Sequence, residues 1–483
     1  MASDNKDNVL LKRIRDGYTL TKSETLKLIV QLSIPSILAQ ISFTLMFFID
    51  ASMVGELGTN ASASIGLVES STWLFSSLTT AAAMGFSVQV AHFIGANDFK
   101  QARQVFRQGI TSTLIFSIIF MSVCLLIADP LPYWLGGGSD IKHDSSWYFA
   151  IYSLAIPFLQ MNILSSSMLK CSGNMKTPSI VSVFMCLADV VFNSFLIFPT
   201  REINMLGLNI TMPGADLGVT GAAIGSMLAI ALSGTFLLTF TTRHSKMLSL
   251  NQEKGSFRPT RRIVVNATKI STPMAGQCIL MSGAQIASTM IVAPLGNIAI
   301  ASNTFAITAE SLCYMPGYGI GEAATTLIGQ SLGAGHRKMT LSFARQLVLF
   351  GMAVMAVMGV LMYIAAPQMI GIMTPVEEIR ELASYVLRIE AFAEPMFAAS
   401  IVGYYVCLGA GDTLVPAFMN LGSMWLVRIT LAASLAPSYG LKGVWVAMAS
   451  ELMIRGSIFI IRVFRGRWMD KMHLKTQQSQ SVQ

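Results

Sequence analysis

Asp189 and Asn193 stand one helical turn apart in a run of apolar residues, Cys186-Leu187-Ala188-Asp189-Val190-Val191-Phe192-Asn193. Residues four apart share a helix face. A carboxylate with an amide oxygen beside it suits a proton or a small hard cation such as Na⁺. In hydrocarbon a carboxylate costs roughly 2.5–3.5 kcal/mol on insertion scales, so its presence calls for a reason. A structural alternative is an Asp satisfied by hydrogen bonds between helices. Asp50 is the second acid of interest. It lies 22 residues past Leu28, about 33 Å along a straight helix at 1.5 Å per residue. An interfacial position, where charge is cheap, is therefore a fair reading of Asp50 on physical grounds alone.

The elements that hold these residues are membrane spans. Apolar residues make up 53% of the chain and charged residues 12%, about half the charged share of a soluble protein. Twelve apolar stretches are long enough to cross roughly 30 Å of hydrocarbon. They fall near residues 26–54, 62–94, 106–128, 146–169, 178–198, 217–242, 266–292, 298–330, 342–366, 380–408, 415–436 and 441–464. The fold class expected is an all-α integral membrane protein.

Shifted by 238 residues, the chain aligns with itself. Pro35 meets Pro273, Gly58 meets Gly296, and Gly95-Ala96 meets Gly333-Ala334. Arg107-Gln108 meets Arg345-Gln346, and Gly173 meets Gly411. Such duplication is typical of transporters in which one half moves against the other. With six spans per repeat, the two lobes are expected to be related by a pseudo-twofold axis along the membrane normal. The organisation expected is a cytoplasmic segment 1–25, a first lobe 26–242 and a cytoplasmic linker 243–265. A second lobe 266–464 and a cytoplasmic tail 465–483 complete it. The symmetry breaks where chemistry is expected, since Asp50 meets Ser288 and Asp189 meets Val427. The segment 200–216 has no counterpart in the second half; it reads as a loop insertion or as a cap over one mouth of a cavity.

The net charge of +8 is distributed by topology rather than gathered into a nucleic-acid patch. With both termini on one side, that face holds 26 of the 33 Lys and Arg. The bias places both termini in the cytoplasm. The first span is too long for a signal-peptide core and no small-residue cleavage site comes after it, so its retention is expected. The six cysteines lack CxxC spacing and read as buried thiols. The five histidines, His473 among them, are scattered. No HExxH, GxSxG or P-loop is present, so neither an enzyme nor an ATP-driven pump is expected, and an ion gradient must supply energy. The sequons at Asn60 and Asn209 face outside in this topology.

The second half carries a different charge set: Glu310, Glu322, Glu390, Glu394, Arg428, Glu451 and Arg455. Glu451 and Arg455 have the i,i+4 order that favours a structural ion pair. Arg428 needs an acid, with Glu390 or Glu394 the expected partner. Functional and structural readings of Glu310 and Glu394 stand side by side. Gln40, Glu69, Gln277 and Gln285 are candidates for a cavity wall. Pro35 is a candidate hinge, against a reading of static curvature.

Several motifs resemble the multidrug and toxic compound extrusion (MATE) family. They are Pro35 with Asp50 fifteen residues later, then Val54-Gly55-Glu56-Leu57-Gly58. The stretch Val90-Ala91-His92-Phe93-Ile94-Gly95-Ala96 is similar to the family's VAQxxGA, with His92 in place of Gln. Its second copy, Ile328-Gly329-Gln330-Ser331-Leu332-Gly333-Ala334, keeps Gln330, and Leu217–Ala223 is similar to the start of the family's sixth span. The resemblance implies a monomeric cell-membrane antiporter that exports amphipathic, often cationic, compounds in exchange for H⁺ or Na⁺, with no other cofactor. In the DinF-type branch an acid in the first span, matched by Asp50, carries the ion. That branch often has Asn then Asp four apart in the fifth span; Asp189 and Asn193 reverse the order. Ser226 resembles a hydroxyl that can complete the site. The seventh-span carboxylate of the NorM-type branch is absent, with only the amides Gln277 and Gln285 there, which favours coupling in the first lobe. Competing expectations are a flippase for lipid-linked precursors and, more remotely, a membrane-embedded enzyme or scaffold.

Overall fold

A backbone in hydrocarbon has no water to bond, so each spanning segment closes its own hydrogen bonds as a helix. The computed structural model describes residues 9–205 and 208–470. The expected terminal segments 1–25 and 465–483 lie partly outside these residues, as does His473. A short helix α1 (Val9–Arg15) precedes α2 (Lys22–Gly55), α3 (Thr59–Gly95), α4 (Phe99–Ile127) and the single turn α5 (Leu131–Trp134). Next come α6 (Ser139–Cys171) and α7 (Lys176–Leu196). The strands β1 (Pro199–Met205) and β2 (Leu208–Ala215) lead to α8 (Gly218–Arg243). The second half holds α9 (Arg261–Val292), α10 (Asn297–Gly333), α11 (Arg337–Met373), α12 (Glu377–Ala391), α13 (Glu394–Gly409) and α14 (Leu414–Gly422). A π-helical segment, Ser423–Ile429, then joins α14 to α15 (Thr430–Arg465).

Among the described residues nine helical stretches are long and apolar enough to span a membrane, and α12 with α13 forms a tenth, bent by 59°. The bend falls at Pro395, whose ring and missing N–H break the helix before it. The stretch Leu414–Arg465 contains a non-helical Gly440 (φ 60°, ψ −142°), which divides it near the expected end of one span and start of the next. With α10, 37 residues long, all twelve expected spans are helical. The insertion 200–216 is largely an antiparallel hairpin, with Pro199 opposite Ala215 and Ile203 opposite Ile210. It joins α7 to α8, and Asp216 N–H donates to the Phe198 carbonyl at 3.1 Å.

The duplication extends to backbone conformation. Left-handed residues end corresponding helices: Asn97 (φ 57°) and Gly335 (φ 79°), then Gly173 (φ 90°) and Gly411 (φ 76°). Each pair closes the same reverse turn, Asp98 N to Phe93 O and His336 N to Ser331 O in the first case. The start of α2 is set by a capping box, in which Thr21 N–H donates to Glu24 Oε2 (2.9 Å) and Glu24 N–H to Thr21 Oγ1 (3.3 Å).

By proximity the chain forms two units. One comprises residues 1–41, 88–98 and 269–483; the other comprises 42–87 and 99–268. In the first unit, the ends of α3 and α10 cross at glycines. A Cβ on Gly95 would lie 2.1 Å from the Gln330 carbonyl oxygen, and one on Gly333 would lie 2.0 Å from that of His92. His92 Nε2–H donates to the Gly409 carbonyl at 2.8 Å, so the histidine joins the end of α3 to that of α13. Leu11 and Ile14 of α1 are buried in the same unit. In the second unit the linker after α8 is strapped to α4. Arg103 Nη1 donates to Gln252 Oε1 (2.7 Å), Arg107 Nη2 to the Leu250 carbonyl (2.8 Å), and Thr260 N–H to Gln108 Oε1 (2.9 Å).

Candidate ion-coupling site

Three residues expected to carry an ion meet within one unit. Asp50 comes from α2, and Asp189 and Asn193 come from one face of α7. The Asn193 amide donates from Nδ2 to Asp50 Oδ1 (3.0 Å) and to Asp189 Oδ2 (3.1 Å). Asp189 and Asn193 are fully buried. The two carboxyls lie in contact, and the Ser226 hydroxyl of α8 lies beside Asp189. Asp50 is therefore half-buried against a second acid. Two ionised carboxylates this close repel each other, and one proton or one cation between them removes the repulsion. Asp189 Oδ1 is buried without a hydrogen-bond partner, which leaves an acceptor free for such a charge, and Asn193 Oδ1 is likewise unpartnered at the other end of the amide from the two carboxyls. No group of three or more His, Cys, Asp and Glu suited to a metal ion occurs among the described residues.

Two neighbours escaped sequence reasoning. Tyr148 of α6 lies within electrostatic reach of Asp50, Asp189 and Glu69. Cys186 of α7 donates from Sγ to the Ser42 carbonyl at 3.5 Å, linking α7 to α2 one turn before Asp189. Neither carries a signal in one sequence: Tyr148 is one of eleven tyrosines and Cys186 one of six cysteines.

The acids of the second half gather in the other unit. Glu310, Glu390, Glu394 and Glu451 are all buried. Glu451 accepts from Arg455 Nε (3.1 Å) and from Ser423 Oγ (2.5 Å), the expected i,i+4 pair with one further donor. The expected direct pairing of Arg428 with Glu390 or Glu394 does not form. Arg428 lies in the π-helical segment, among the charges of Glu451, Glu310 and Glu390, while the carboxylate oxygens of Glu390 and Glu394 have no hydrogen-bond partner. A π turn adds a residue to the helical repeat and rotates the residues beyond it, so α-helical spacing misjudges where Arg428 points. Replacing Glu451 by Gln while keeping Arg455 should lower the melting temperature in detergent, with a loss of about 3–5 kcal/mol, because a buried guanidinium then lacks its counter-charge. Replacing both residues by apolar ones should cost less than that single change.

Gln40 Nε2 donates to Glu322 Oε1 at 3.3 Å. Gln277 buries its Oε1 without a partner, and Gln285 is exposed. Pro35 lies within an unbroken α2, and just after it a Cβ on Gly319 of α10 would stand 2.6 Å from the Ile37 amide nitrogen.

Comparison with known proteins agrees with this arrangement of helices. The chain is 24% identical over 452 residues to a probable multidrug resistance protein NorM of Thermotoga maritima, covering 92% of this chain and 93% of that protein. It is 23% identical to the uncharacterised transporter YisQ of Bacillus subtilis, covering 87% and 90%. A crystal structure of MATE in complex with MaL6 superimposes with a TM-score of 0.85 at 18% identity, over 96% of this chain and all of that one. The MatE family model matches twice, at residues 35–195 and 273–433, and its two matches begin 238 residues apart, the offset of the internal repeat. The chain belongs to the MatE family of multi-pass membrane transporters.

Proposed function

We propose that this protein is a gradient-driven antiporter of the DinF-type branch. It exports amphipathic, often cationic, organic compounds across the cell membrane in exchange for H⁺ or Na⁺. The observation that carries this reading is the Asn193 amide held between Asp50 and Asp189, with the buried acceptor Asp189 Oδ1 unused. Binding an external cation there neutralises one charge and favours the conformation that releases drug outward. Return of the drug-free, cation-loaded carrier delivers the cation inside and recaptures drug, a cycle that needs one pair of groups to sense the ion in both states. The two lobes, 26–242 and 266–464, are the moving bodies of a monomer with both termini in the cytoplasm. Pro35, close to the point where α2 passes from one unit to the other, serves as the hinge. The multidrug resistance names of relatives along nearly the whole chain support the substrate class.

Reconstitution in lipid vesicles tests this directly. An imposed pH gradient or an imposed Na⁺ gradient should drive movement of the cationic dye ethidium, and fluorescent phospholipid should not scramble. Dye movement under neither gradient overturns the proposal, and lipid scrambling in its place points to the flippase.

A further inference from the structure

Gly225 precedes Ser226 on α8 and faces the candidate site. A Cβ built on it would stand 2.1 Å from Asn193 Oδ1, 3.1 Å from Asn193 Cγ and 3.2 Å from the Asn193 amide nitrogen. One turn earlier, a Cβ on Gly221 would stand 2.4 Å from the Leu196 carbonyl oxygen. Thus α8 turns two bare glycines toward α7, and the helices approach to backbone distance there. What separates the two glycines is what they meet. Gly221 meets backbone alone, whereas Gly225 meets the acceptor end of the one side chain that bridges both acids.

An amide has two unlike ends. Its NH₂ group attracts two carboxylates, and its oxygen would repel them. The oxygen of Asn193 is buried and has no N–H or O–H partner. A glycine Cα offers weak C–H donors and no bulk, an arrangement suited to an oxygen. We infer that Gly225 is a positioning residue of the coupling site: it seats Asn193 Oδ1 and so holds the amide NH₂ between Asp50 and Asp189. This rests on the reading of that pair as the coupling site. It also gives the reversed order of Asp189 and Asn193 a physical sense, because the amide then falls opposite the glycine of α8.

The test compares Gly225→Ala in the wild type and in an Asn193→Ala background, where the clash with the amide oxygen is gone and only the backbone nitrogen at 3.2 Å remains. Gly225→Ala alone should reduce gradient-driven ethidium efflux by about 10- to 100-fold, the range seen when a group orienting ion ligands is lost. It should also move the pH midpoint of efflux, which reports on Asp50, Asp189 and their titratable neighbours Glu69, Tyr148 and Cys186. In the Asn193→Ala background, which already lacks the bridging amide, the same change should lower the melting temperature far less than in the wild type, the signature of an effect that acts through the Asn193 side chain. Wild-type efflux and pH midpoint in Gly225→Ala overturn the inference. So does an equal fall in melting temperature in both backgrounds, which would make Gly225 a packing residue like Gly221. If Gly225→Ala alone does not fold, recovery of folded protein in the double variant supports the seating, and no recovery overturns it. Melting temperatures read the seating whether or not the carboxylates carry the ion, so failure of the coupling proposal shows separately, in Asp50→Asn and Asp189→Asn.

Discussion

Asp50→Asn and Asp189→Asn should each abolish gradient-driven efflux while leaving a folded, membrane-inserted protein. An asparagine keeps the shape of the carboxyl and can still bond the Asn193 amide, so the packing of α2 on α7 survives. What it loses is the ability to gain and lose a charge. An ion can shift a conformational equilibrium only by its difference in affinity for the two states, and moving a population from 1:99 to 99:1 takes about 5.5 kcal/mol of such difference. With one acid fixed as neutral, the pair no longer holds two negative charges to be relieved, and most of that difference disappears. Efflux of ethidium from vesicles against its gradient should fall to the protein-free background in either variant. Downhill exchange of the dye, which needs no ion, should persist. Wild-type coupled efflux in both variants would exclude the pair as the ion site. The buried glutamates of the other unit, Glu390 and Glu394, would then be the next groups to substitute.

The repeat was visible in the sequence because physics asks for the same residues in both copies. Glycines that end helices in the left-handed region and glycines at backbone crossings admit few replacements, so they survive when apolar residues drift. Asp189 with Asn193 was legible for a related reason, since polar groups in a span stand out and helical spacing fixes their common face. Asp50 was less so. Counting along a straight helix gives depth but not neighbours, and only the packing of α2 against α7 turns an apparently interfacial acid into half of a pair. The surroundings of Arg428 were hidden by the π-helical turn, which no spacing rule anticipates. That turn spans Val427, the counterpart of Asp189, and places a guanidinium one residue beyond it. Gly225 was unreadable for the opposite reason: one small residue among 38 glycines says nothing until its neighbour is known.

The other large effect is expected at the reciprocal crossing of α3 and α10. Gly→Ala in a helix normally stabilises by about 0.5–1 kcal/mol through propensity and the unfolded chain. At Gly95 and Gly333 the sign should reverse, because the new methyl group would meet a carbonyl oxygen of the partner helix at 2.1 Å and 2.0 Å. Backbone cannot rotate aside as a side chain can, so the helices must separate, at a cost of about 1–3 kcal/mol or more for overpacking. Separation would also strain the bond from His92 to the Gly409 carbonyl. Both single variants should melt lower than wild type in detergent. The double variant should cost less than the sum of the two, since either methyl alone already forces the same pair of helices apart and leaves room for the second. Full additivity would mean that the two clashes are relieved independently, by local bending at each helix end. Transport should fall as well, because this crossing fastens residues 88–98 of α3 to the unit that contains the second half of the chain, while residues 42–87 belong to the other. A loosened crossing would let the end of α3 yield, and ethidium efflux from vesicles reads that loss beside the melting temperature.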